Sequence, residues 1–114
     1  MIKTLRETDS RLNIFSLCNG THLQGYIETT FSDLKNAFGD PTFENYDPYE
    51  KVNAEWVLQD GHGKVITIYN WKTGRVPMGK HTWHVGGHDE SVLEVLSEHG
   101  PSEARPSRSY FEIN

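Results

Sequence analysis

The chain holds a single cysteine, Cys18, among its 114 residues. That excludes an internal disulfide framework and a cysteine-built zinc site. No apolar run approaches the ~18–20 residues of a membrane-spanning helix. Positive charge is scarce: 11 Lys and Arg stand against 16 Asp and Glu, a net charge of −5 with histidine neutral. Binding to a phosphate backbone needs a positive footprint, so direct nucleic-acid binding is disfavoured. Phosphate-cradling signatures of the GxxxxGK[ST] or GxGxxG type are missing. The opening stretch MIKTLRETDSRLNIF carries charge where a secretory signal would be apolar. These absences lead us to expect a soluble intracellular protein with no membrane association; no cofactor is expected.

Aliphatic residues are also sparse, and hydrophobics total 35% against the usual ~45–50%. Aromatics compensate: three Trp, five Tyr and five Phe can supply much of a small core, which argues against disorder throughout. The length suits one domain.

Local patterns outline the elements. Leu12, Ile14 and Leu17 can line either a short strand or a short helix. Leu23 to Thr29 reads as a strand. Thr30-Phe31-Ser32-Asp33 has the capping-box shape, with Leu34, Ala37 and Phe38 at helical spacing, Gly39 as C-cap and Pro41 as stop. Phe43 to Glu50 reads as an acidic, aromatic loop. Lys51 to Asp60 alternates, with Val52, Ala54, Trp56 and Leu58 on one face and Val57 as the exception. A tight turn leads to a second strand, Val65 to Trp71, and a loop to a third, Thr82 to Val85, which Gly86-Gly87 ends. Asp89 is the expected N-cap of a second helix, buried through Val92, Leu93, Val95 and Leu96. The expected fold is α+β: a small antiparallel sheet, a three-stranded meander plus one or two further strands, with two short helices on one face. Residues 1–100 form the expected single compact domain. Residues 101–114 are expected as a mobile C-terminal tail, whose Tyr110, Phe111 and Ile113 either add an edge strand or dangle.

The stretch from Trp56 to His88 concentrates the chemistry. It holds all three Trp and four of the six His. Aromatic rings beside cations suit a flat, anionic ligand through stacking and ion pairing. The candidate ligand-binding residues are Tyr69, Trp71, Lys72, Arg75, Trp83 and His84. The plainer reading makes the rings core and the cations ordinary hairpin-end charges. His81, His84 and His88 evoke a metal, but 81 and 84 point to opposite faces of a strand and no cysteine joins them, so no metal is expected. Gly86-Gly87-His88-Asp89 would expose backbone amides to an anion if it were a turn. Cys18 with His22 lacks an orienting third group, and no catalytic residue is assigned. The carboxylates of Asp40, Glu44, Asp47 and Glu50 could imitate an acidic partner, although a solvated loop explains them more simply.

The segments GYIETTFSDLKNAFGDP, KVNAEWVLQDGHGKVITIYNWKTG and TWHVGGHD together resemble a widespread group of small bacteriophage-encoded proteins. In that group a YI-T-T strand precedes a short helix ending in FG-P, followed by AEW, TIY-WK-G and WH-GG segments. The likeness runs from about Gly25 to Asp89 and brings no established activity. It implies an accessory protein in the cytoplasm of an infected bacterium, where small proteins often counter host defence. The expected function is non-catalytic: a counter-defence inhibitor that sequesters a nucleotide-like signal. The alternative is an inhibitor, similar in kind to anti-CRISPR proteins, that binds a host defence protein through an aromatic sheet face or the acidic loop. Self-association is compatible with either.

Overall fold

The computed structural model describes residues 1–8 and 11–107, with backbone only for Arg11 and Leu12. In chain order the elements are β1 (Ile2–Thr4), α1 (Arg11–Cys18), β2 (His22–Thr29), α2 (Phe31–Phe38), β3 (Phe43–Glu44), β4 (Ala54–Asp60), β5 (Val65–Tyr69), β6 (His81–Gly87), α3 (Ser91–His99) and β7 (Ala104–Pro106). The strands form one antiparallel sheet in the order β1-β4-β5-β6-β2-β7, with β3 added beside β4. The α+β architecture and its β4-β5-β6 meander are as expected from the sequence.

Alternation sorts the side chains between the two faces. Ala54, Trp56 and Leu58 of β4 join Ile66 and Ile68 of β5, Trp83 and Val85 of β6 and Ile27 of β2. Leu34 and Phe38 of α2 and Val92, Leu93 and Leu96 of α3 cover this face. Trp56 and Trp83 meet edge to face, 5.6 Å between centroids, and both are fully buried. The Trp56 indole N–H donates to the Gly39 carbonyl at 2.9 Å. Val57, the exception to the alternation, points the other way. There it packs with Val65, with Leu5 and with Ile14 of α1. A third helix thus covers part of the second face.

The capping signals around α2 are realised. Thr30 Oγ1 accepts from the Asp33 N–H at 3.0 Å, and Gly39 ends the helix at φ 81. The expected loop from Phe43 opens with the two-residue strand β3, and the strand expected from Lys51 begins only at Ala54. Four further expectations need correction. β6 does not stop at Val85 but runs through Gly86 to Gly87. Both residues are paired with β2 and β5, and a Cβ on Gly86 would lie 2.4 Å from Thr67 Oγ1. The glycines serve close approach rather than a turn, so they do not open amides to an anion. The second strand stops at Tyr69, because Asn70 turns its amide into a buried network described below. Asp89 lies one residue before the N-cap of α3, Glu90, yet its Oδ1 accepts from the Ser91 N–H at 2.9 Å. Finally, Ala104–Pro106, expected within the tail, pairs with Gly25–Ile27 as β7. Tyr110, Phe111 and Ile113 lie outside the described residues.

Candidate functional site

The strand registers place Glu55, Tyr69, His84, Tyr26 and Arg105 in one row across β4, β5, β6, β2 and β7. Their alternation puts them on the face opposite α2 and α3. Tyr26 and His84 meet edge to face at 5.1 Å, and His84 lies 5.4 Å from Tyr69. Trp71 extends the row past the end of β5, 6.3 Å from Tyr69 and 6.2 Å from His84. Its indole is 40% exposed, whereas Trp56 and Trp83 are 0%.

Two ammonium groups flank that exposed indole. Lys51 Nζ lies 5.8 Å and Lys72 Nζ 5.7 Å from its ring centroid. Both distances lie within cation–π range. The Lys72 backbone N–H donates to the Lys51 carbonyl at 2.7 Å, which ties together the two segments that carry the lysines. Lys72 takes a left-handed conformation, φ 57, uncommon for a residue with a side chain. Beside this corner a depression of about 440 Å³ is lined by Tyr49, Glu50, Lys51, Lys72 and Thr73, among others. A second depression, of about 450 Å³, is lined by Tyr26, Glu28, Lys80, His81, Thr82 and His84.

Burial tunes the titratable groups of the row. It pushes the Glu55 carboxyl up to about 7. It also raises the Tyr69 hydroxyl, with smaller contributions from Glu55 and Tyr26. It lowers the His84 imidazole, with His81 adding a like-charge effect. Burial thus favours the neutral imidazole of His84, and its buried Nδ1 has no hydrogen-bond partner among the described residues.

The six candidates divide. Tyr69, Trp71, Lys72 and His84 come together. Trp83 does not: it sits fully buried in the core on the opposite face, between Trp56, Phe31 and His81, where no ligand can stack on it. Arg75 is exposed beyond the cluster, and its carbonyl accepts from Thr73 Oγ1 at 2.6 Å. Lys51 and Tyr49 are the residues the motif reading missed. Lys51 stands 20 residues before Trp71 in sequence, so only the hairpin brings them together. Tyr49 was visible only as an aromatic within the acidic loop.

Other candidates take structural places. Burial, then Glu55, raises the Cys18 thiol to about 11, so it stays protonated at neutral pH. Among the described residues no three His, Cys, Asp or Glu side chains converge as a metal site, and no helix is long and apolar enough to cross a membrane. In the acidic loop Asp47 Oδ1 accepts from the Tyr49 N–H at 2.9 Å, and the Tyr46 hydroxyl donates to the Glu44 carboxylate. No family model, curated protein or solved structure matches the chain.

Proposed function

We propose that the protein is a non-catalytic binding protein that holds a flat, anionic, nucleotide-like ligand at the Trp71 corner. The observation that carries this reading is the pair of lysines on one exposed indole, beside a depression of about 440 Å³ that Tyr49 also lines. Stacking on an aromatic ring suits any flat base, while ammonium groups meet phosphate. Lys51, Lys72, Trp71 and Tyr49 form the binding corner, with Tyr69 and His84 behind it. The resemblance to bacteriophage proteins supplies the setting: the cytoplasm of an infected bacterium, where holding such a ligand would silence a defence signal.

Native mass spectrometry of the protein recovered from defence-active lysate tests this directly. A bound small molecule, lost in Lys51→Glu with Lys72→Glu, is the expected result. A second reading, a protein-binding inhibitor, draws on Tyr46 and Tyr49, which are 78% and 94% exposed in the acidic loop. Tyrosine and tryptophan are common anchors of protein interfaces. Under that reading the recovered species carries a protein partner, and reversal of Asp47 and Glu50 removes it.

A further inference from the structure

The Trp71 corner is built on a buried amide. Asn70 is fully buried. Its Oδ1 accepts from the backbone N–H groups of Asn53 at 2.8 Å and Ala54 at 2.9 Å. Its Nδ2 donates back to Asn53 Oδ1 at 3.0 Å and forward to Thr73 Oγ1 at 2.7 Å. Thr73 Oγ1 in turn donates to the Arg75 carbonyl. Trp71 and Lys72 are therefore the two residues enclosed between the clamped positions 70 and 73. The Lys72 N–H closes the same loop onto Lys51. Asn53 fixes the other side, donating from Nδ2 to the carbonyls of Asn45 at 2.9 Å and Asp47 at 3.1 Å.

A left-handed residue persists only where its surroundings over-determine it. Here the surroundings are this network. A lysine on a free hairpin end would sample many directions. Two lysines on one ring need their backbones fixed, because each long side chain otherwise loses its geometry to entropy. We propose that Asn70 is a positioning residue: through its clamp on Thr73 and on the Asn53–Ala54 backbone, it holds the Lys51 and Lys72 ammonium groups against Trp71. The purpose of that arrangement rests on the nucleotide-binding reading above. The arrangement itself can be measured with no ligand present.

Trp71 is the exposed member of three tryptophans, so collisional quenching of fluorescence reports on it. Iodide is an anion and acrylamide is neutral. Two ammonium groups about 6 Å from the indole should raise iodide quenching relative to acrylamide by about threefold at 0.15 M ionic strength, compared with the same chain lacking both charges. Lys72→Gly, which keeps the left-handed backbone and deletes the ammonium, calibrates the readout and should lower the ratio. Asn70→Ala should lower it as far, with both lysines still present. Because Asn70→Ala can fail to fold, Thr73→Val supplies the second arm: it removes the hydroxyl that Asn70 clamps at an exposed position. Thr73→Val should lower the ratio and Thr73→Ser should keep it. A folded Asn70→Ala with the wild-type ratio overturns the proposal, as does an unchanged ratio in Thr73→Val or an equal fall in Thr73→Ser. Failure of every nucleotide to bind the wild-type protein would reject the ligand reading instead and leave these ratios as they are.

Discussion

The backbone N–H of Lys72 bonds to the carbonyl of Lys51 at 2.7 Å, and the ammonium groups of the same two residues lie within 6 Å of one indole. One backbone contact thus joins the segment that follows the acidic loop to the residues just past β5. It converts two surface charges, distant in sequence, into one local feature.

The charge feature predicts a graded response. Lys51→Glu with Lys72→Glu should abolish binding of an anionic ligand while leaving the melting transition intact, since both residues are exposed. Arg75→Glu, outside the cluster, should weaken binding only mildly. Wild-type affinity should fall as salt rises. Calorimetry of the three proteins at two salt concentrations checks this.

Trp56→Ala should cost about 3–5 kcal/mol, the scale for deleting a large buried aromatic. Its ring is fully buried against Trp83 and Phe31, and its N–H is spent on Gly39. A urea denaturation curve gives the value.

Glu55 predicts a pH dependence. Its folded value, about 7, lies above the ordinary 4.5, so the folded state binds the proton more tightly than the unfolded chain. Stability from this group is complete below pH 4.5 and falls as pH rises to about 7, by roughly 2–3 kcal/mol. Glu55→Gln should therefore match the wild type near pH 4.5 and exceed it at pH 8. The difference between the two proteins isolates Glu55 from His81 and His84, whose lowered values act in the opposite direction as pH falls below 6.5. Denaturation midpoints at both pH values provide the measurement.

Gly86→Ala should destabilise by about 1–3 kcal/mol, because the added methyl meets Thr67 Oγ1. Thr67→Ala in the same chain should restore part of the loss. The double-mutant cycle reads the coupling.

The legible parts of the fold were those decided by neighbours in sequence. The turn from Thr30 to Gly39 carries its own cap and stop, and the alternation of Ala54, Trp56 and Leu58 needs only a sheet to face. What stayed hidden depends on distant partners. β1 and β7 are three-residue edge strands with too few positions to show a period. Gly86 reads as a turn until Thr67 is seen to occupy its side-chain space. Trp83 and Trp71 look equivalent in sequence, yet one falls on the face that α2 and α3 cover and the other follows the end of β5. Asn70 carries no local signal of its role, because the backbone N–H groups it serves lie 16 and 17 residues away.

Calorimetric titration of the full chain with a panel of cyclic and linear nucleotides tests binding at the Trp71 corner most directly. At least one nucleotide should bind with one site per chain, more weakly at higher salt, and not at all to Lys51→Glu with Lys72→Glu. Absence of binding across the panel, or undiminished binding by that double variant, would contradict this expectation.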